Sequence, residues 1–215
     1  MAEPVDNSRR SAIGILAYGS LIADPGVEIH PLVVERIETI TPFPVEYARF
    51  SATRGGAPTA VPHVSGHAVK AQVLVLAEAV LLTEARNLLW RRETRNEGSG
   101  KDYRESGNAN AVVVRDLFDF CGVAHVLYTD FNSQGKITDP EPKSLARATI
   151  ESVGRAQAGK DGISYLMGLL DAGVETTLTS RYVAEILLQT GATDLTHALR
   201  QLKTSKREEL RDGQS

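Results

Sequence analysis

Apolar and polar positions along this chain change their period part-way through. Ile13-Gly14-Ile15-Leu16-Ala17 is apolar on both faces and reads as a short, central strand. Val45 to Thr53 and Ala68 to Leu76 read as further strands. In the latter, Val69, Ala71, Val73 and Val75 alternate with Lys70, Gln72 and Leu74. Between them, Arg54 to Pro62 is rich in Gly and Pro and is expected to be irregular. Thr83 is placed as an N-cap for a helix through about Thr94, with Ala85, Leu88 and Leu89 as its apolar stripe. Asn96 to Asn110 is a polar loop. Ala111 to Leu117 and Val123 to Thr129, separated by Asp119-Phe120-Cys121-Gly122, predict a hairpin. After Pro140 the period becomes helical, over Lys143–Ala158, Gly162–Ala172, Ser180–Thr190 and Asp194–Lys203. Strands first and helices second predict an α+β fold.

The 215 residues suffice for one buried core, so the expected organisation is one domain over 13–203. A polar N-terminal segment, 1–12, and a polar tail, 204–215, are expected to flank it without structure. A net charge of −3 supplies no basic field for nucleic acid or an anionic membrane. The expected partner is a small molecule, with a second copy of the chain as the other option. The single cysteine, Cys121, excludes an internal disulfide. The start of the chain lacks the order of a secretory signal, and no apolar run has transmembrane length; a soluble cytoplasmic protein is expected.

Two segments carry candidate chemistry. At Tyr18-Gly19-Ser20-Leu21 the first strand breaks, and Gly19 lets successive backbone N–H groups approach an anion. A tight turn accounts for the tripeptide equally well. In Leu89-Trp90-Arg91-Arg92-Glu93, the carboxylate falls four residues beyond Leu89, on the stripe that faces the core. It is either paired, with Arg91, Arg92 or Arg95, or placed as a general base with a raised pKa. Glu97 is the rival base. The arginine cluster is read as a solvated helix face. Arg54 is a candidate for a substrate carboxylate, and Tyr103 and Tyr128 for pocket-lining hydroxyls. His63 and His67 flank Ser65-Gly66 without completing a metal set, so no metal is expected, and Cys121 is read as a bystander.

Taken in order, these segments resemble the γ-glutamylcyclotransferase superfamily, including its ChaC-type and AIG2-like branches. The resemblance rests on the apolar strand entering Tyr18 to Leu21 and on the Leu89-to-Glu93 pattern ending a helix. Arg92-Glu93, Arg49-Phe50, Arg54-Gly55 and Ala57-Pro58 are similar to the ChaC-type branch, and Ser164-Tyr165-Leu166 more loosely so. It covers roughly residues 13 to 130. It implies a small mixed β-barrel surrounded by helices; the helical C-terminal third is larger than it implies. It also implies a pocket in which Tyr18, Gly19, Ser20 and Leu21 cradle a γ-glutamyl group and Glu93 acts as base, with no cofactor. The Asn96–Asn110 loop is longer and more polar than the resemblance implies, which leaves the substrate open. γ-Glutamyl peptides, γ-glutamyl amines and urea-type amides all remain, as does a non-catalytic binding protein on the same scaffold.

Overall fold

A computed structural model describes residues 12–212, with side chains through 206. The expected segment 1–12 therefore lies outside the described residues except for Ala12. The fold is mixed α+β. Strands β1 (Ile13–Ala17), β2 (Val33–Ile40), β3 (Val45–Ser51), β4 (Ala57–Pro62) and β5 (Lys70–Leu76) precede β6 (Val112–Phe120) and β7 (Val123–Phe131). Helices are α1 (Ser20–Ala23), α2 (Leu82–Thr94), α3 (Pro142–Arg155), α4 (Gly162–Asp171), α5 (Thr179–Thr190) and α6 (Leu195–Asp212). No helix among the described residues is long and apolar enough to cross a membrane. Contacts gather in two compact units, residues 1–42 with 70–135 and residues 43–69 with 136–215.

The first unit is built on a five-stranded sheet in the order β2-β5-β1-β7-β6. β1 pairs antiparallel with β5 and parallel with β7. Its two-sided apolar sequence thus corresponds to an interior strand. The order is open, with β2 and β6 at its ends, and no closed barrel forms among the described residues. α2 packs across β1, β6 and β7. Ile15, Ala17, Leu74 and Leu127 of the sheet meet Leu21 of α1 and Ala85, Leu88 and Leu89 of α2 in one buried cluster. Burying side chains of this size contributes about 1.5–3 kcal/mol each, so this cluster fixes where α2 lies on the sheet.

Several boundaries differ from the sequence reading. β2 was not foreseen: its side chains alternate half-buried and exposed, and Glu35, Arg36 and Glu38 place charge at three of its eight positions. α2 starts one residue before Thr83, with Leu81 as N-cap and no side-chain cap. The hairpin forms, but its strands run on to Phe120 and Phe131, closed by Cys121-Gly122. Both turn residues have positive φ, 53° and 77°, as a two-residue hairpin with the right strand twist requires.

In the second unit β3 and β4 pair antiparallel. The stretch expected to be irregular from Arg54 to Pro62 holds β4, because a two-stranded ladder leaves Pro58 and Pro62 room without losing required bonds. α3 packs against β4, α4, α5 and α6. Glu46 is fully buried. Its carboxylate accepts from the Tyr47 N–H (2.9 Å), the Thr176 hydroxyl (2.5 Å) and the Leu178 N–H (3.1 Å) at the start of α5. Two backbone N–H groups and a hydroxyl, beside a helix N-terminus, satisfy the oxygens that burial takes out of water. Nearby, Tyr47 bonds the Thr179 hydroxyl, and Tyr182 bonds Thr149 and meets Tyr47 edge-on. Burial pushes both phenols far above their ordinary range. α6 continues to Asp212, through most of the expected tail.

Candidate functional site

β1 ends at Ala17, and the chain turns at Gly19 with φ 78° and ψ −138°, a conformation only glycine adopts without strain. α1 follows directly. The N–H groups of Ser20 and Leu21 have no preceding helical carbonyl to bond, whereas that of Ile22 donates to the Gly19 carbonyl (3.2 Å). The turn is anchored from one side by Tyr18, whose hydroxyl donates to the Thr129 carbonyl of β7 (2.6 Å) while the ring is buried. Tyr18 therefore spends its hydroxyl on the scaffold. The Leu21 side chain lies in the core, so only its backbone is left to face a ligand. Ser20 is half-buried.

Glu93 lies in the last turn of α2 and is half-buried, one turn beyond the fully buried Leu89. Two arginines pin this turn to the segment leaving α1. Arg92 donates through Nη2 to the Asp24 carbonyl (2.7 Å) and pairs with its carboxylate (3.3 Å). Arg91 is 5% exposed, which corrects its placement on a solvated face. Its Nε donates to Glu28 (2.8 Å), its Nη2 to Glu84 (2.9 Å) and its Nη1 to the Lys101 carbonyl (3.1 Å). The Arg91 hydrogen bond holds the Glu28 carboxyl below its ordinary value, against partial desolvation, and a second bond from the Gly98 N–H helps.

The polar loop of residues 96–110 is strapped across α2. Asn87, buried in that helix, donates to Asp102 (2.9 Å) and accepts from the Tyr103 N–H (2.9 Å). The Tyr103 hydroxyl accepts from the Val114 N–H (3.2 Å), and its ring packs on the core cluster. Farther along, Asn132 donates to the carbonyls of Ser106 and Asn108. Glu84, Asn87 and Arg91 follow at i, i+3 and i+7, one polar stripe beside the apolar one. That stripe was the available signal for the strap, and the sequence reading passed over it.

The structure thus collects Tyr18, Gly19, Ser20, Leu21, Glu93 and Tyr103 in the first unit. Arg54 belongs to the second, where its guanidinium lies over the Tyr165 ring, 4.2 Å from the centroid. Glu97, the rival base, packs its carboxylate against buried Gly26. Tyr128 is half-buried in β7, and burial raises its phenol above the ordinary range. His63 bonds Ser65 in an exposed turn, and no group of three potential metal-binding side chains occurs among the described residues.

Gly26 is the tightest joint in this arrangement. Its φ is +92°, and a Cβ there would sit 2.2 Å from Glu97 Oε1 and 2.4 Å from Arg92 Cδ. Gly26→Ala is therefore expected to lower stability by about 1–3 kcal/mol, from strain plus displaced side chains. Thermal denaturation reads the loss, and an unchanged midpoint would show that the segment shifts freely. No protein-family model matches the chain, and no curated protein is significantly similar to it.

Proposed function

We propose that the chain is a cytoplasmic, cofactor-free γ-glutamyl cyclotransferase, of the superfamily that its sequence resembles. One observation carries the reading. The strand-end turn at Gly19 and the half-buried carboxylate of Glu93 are held in one unit, on α1 and α2 around a shared core. An N–H-lined turn suits a carboxylate or a developing oxyanion, and a half-buried carboxylate suits proton transfer.

The reaction is internal. The α-amine of a γ-glutamyl amide attacks its own γ-carbonyl, forming a C–N bond and closing the five-membered ring of 5-oxoproline. The amide C–N bond breaks, and the amine or peptide leaves. Glu93 takes a proton from the α-ammonium and returns one to the leaving nitrogen. N–H groups at Gly19, Ser20 and Leu21 hold the α-carboxylate or the oxyanion. Because both reacting groups belong to one molecule, holding the substrate folded supplies on the order of 7–11 kcal/mol of the barrier reduction.

The test is mass-spectrometric detection of 5-oxoproline after incubation with γ-glutamyl peptides, γ-glutamyl amino acids and γ-glutamyl amines. Product from one member supports the reaction and identifies its substrate class. Binding of a γ-glutamyl compound with no product over hours would replace the reading with a non-catalytic binder.

A further inference from the structure

We propose that Arg92 is a positioning residue, whose guanidinium fixes the strand-end turn at Gly19 relative to Glu93, the next residue along α2. This role rests on the cyclotransferase reading, and it names what sets the spacing of that site. Neighbouring residues leave a helix about 100° apart, so Arg92 and Glu93 face different ways from one turn of backbone. The Arg92 side chain is 16% exposed, and its Nη2 donates to the Asp24 carbonyl (2.7 Å) with the Asp24 carboxylate 3.3 Å away. Asp24 is the C-cap of α1, and its N–H donates to the Ser20 carbonyl (3.0 Å). Glu93 is thereby joined to Ser20 through one side chain and two hydrogen bonds.

α1 depends on such a tie. It has four residues, and a single turn of helix does not offset the backbone order it requires. Its last carbonyls take donors from other elements: that of Ile22 accepts from Arg36 Nη1 of β2 (3.2 Å), and that of Asp24 from Arg92. Arg36 is exposed and divides its Nη1 between Ile22 and Gln72 Oε1 (3.0 Å), whereas Arg92 is largely buried and makes the shorter bond. A charged donor makes the stronger hydrogen bond, and burial strengthens it further. The stem of Arg92 also runs close against Gly26, where a Cβ would lie 2.4 Å from Cδ. Both halves of the proposed site therefore meet at this one side chain: the turn through Asp24, and the base through the adjoining peptide.

Steady-state kinetics and hydrogen exchange on the full chain test it, well below each variant's unfolding midpoint and with the γ-glutamyl compound that yields 5-oxoproline as substrate. Arg92→Ala is expected to lower kcat/KM by about tenfold to a hundredfold, the cost of displacing a reacting geometry by about 1 Å. KM should rise as kcat falls, because the turn holds the substrate, whereas loss of the base itself lowers kcat alone. The Ile22 and Asp24 amides, which donate to Gly19 and Ser20, should exchange about tenfold faster or more, with β5 unchanged. Arg92→Lys can still reach the Asp24 carbonyl and should recover part of both losses. Faster exchange with kcat and KM unaltered would overturn the proposal, leaving Arg92 a stabilising residue only. Lost activity with unaltered exchange would also overturn it, by placing Arg92 against the substrate. If the wild type forms no 5-oxoproline, the cyclotransferase reading fails, and exchange alone then decides whether Arg92 holds the turn.

Discussion

Glu93→Gln is expected to lower 5-oxoproline release by about 10²–10⁴-fold, the usual contribution of a positioned proton-transfer group, while substrate binding changes little. The amide keeps the size of the side chain and its place in the last turn of α2, so the core formed by Leu88, Leu89 and Leu21 is undisturbed. What it loses is the ability to take a proton from the α-ammonium. Rate and affinity therefore separate, with kcat falling and KM nearly constant. The parallel variant Glu97→Gln distinguishes the rival base. Its carboxylate packs against Gly26, as the Arg92 side chain also does, so neutralising it acts on the segment between α1 and α2. A small change in Tm with activity retained is expected there. Full activity in Glu93→Gln would remove Glu93 from the mechanism. Loss in Glu97→Gln alone would move the base four residues along the chain.

How far the site could be read from sequence depended on whether its partners were local. β1, β5, α2 and the hairpin follow from periodicity within one segment, and each formed within a few residues of its expected span. β2 was hidden because Glu35, Arg36 and Glu38 interrupt its apolar positions, as befits a strand at the end of a sheet. β4 was hidden by Pro58 and Pro62, which argue against an interior strand but not against a two-stranded ladder. Thr83 looked like a cap, yet Leu81 holds the N-cap position and no side chain caps the helix. Arg91 was the largest misreading. Helix periodicity alone cannot place an arginine whose partner Glu28 lies 63 residues away. Its burial follows from the fold, which brings the turn after α1 beneath the end of α2. Arg54 is a second such case. Read from sequence as a candidate for a substrate carboxylate, it folds in the second unit with its guanidinium against an aromatic ring of α4, a partner 111 residues on that no local pattern shows.

Arg91→Met is expected to destabilise the protein by about 2–3 kcal/mol at neutral pH and to shift Tm downward by about 5–10 °C. Methionine fills the apolar path of the side chain but makes none of the three hydrogen bonds to Glu28, Glu84 and Lys101. Removing one member of a buried pair costs about 3–5 kcal/mol when its partner cannot reach water. Here the Glu84 side chain is 49% exposed and Glu28 21%, so both partly rehydrate and the smaller figure applies. The loss should also depend on pH in a defined direction. Glu28 is held below its ordinary value of 4.5 in the folded protein, chiefly by Arg91. Its contribution is therefore complete above that value and disappears as pH falls through the lowered folded value. Wild type and variant should converge in stability under acid and differ most near neutrality. Arg91→Lys keeps the charge but not the planar fork that reaches three acceptors, and should recover only part of the loss. Hydrogen exchange adds a local readout, because residues 96–110 lose the Lys101 anchor and should exchange faster while β1 and β5 do not. Equal destabilisation at all pH values would mean that packing, and not the Glu28 pair, is what Arg91 supplies. Unchanged exchange in the loop would mean that Asn87, through Asp102 and Tyr103, holds the strap alone.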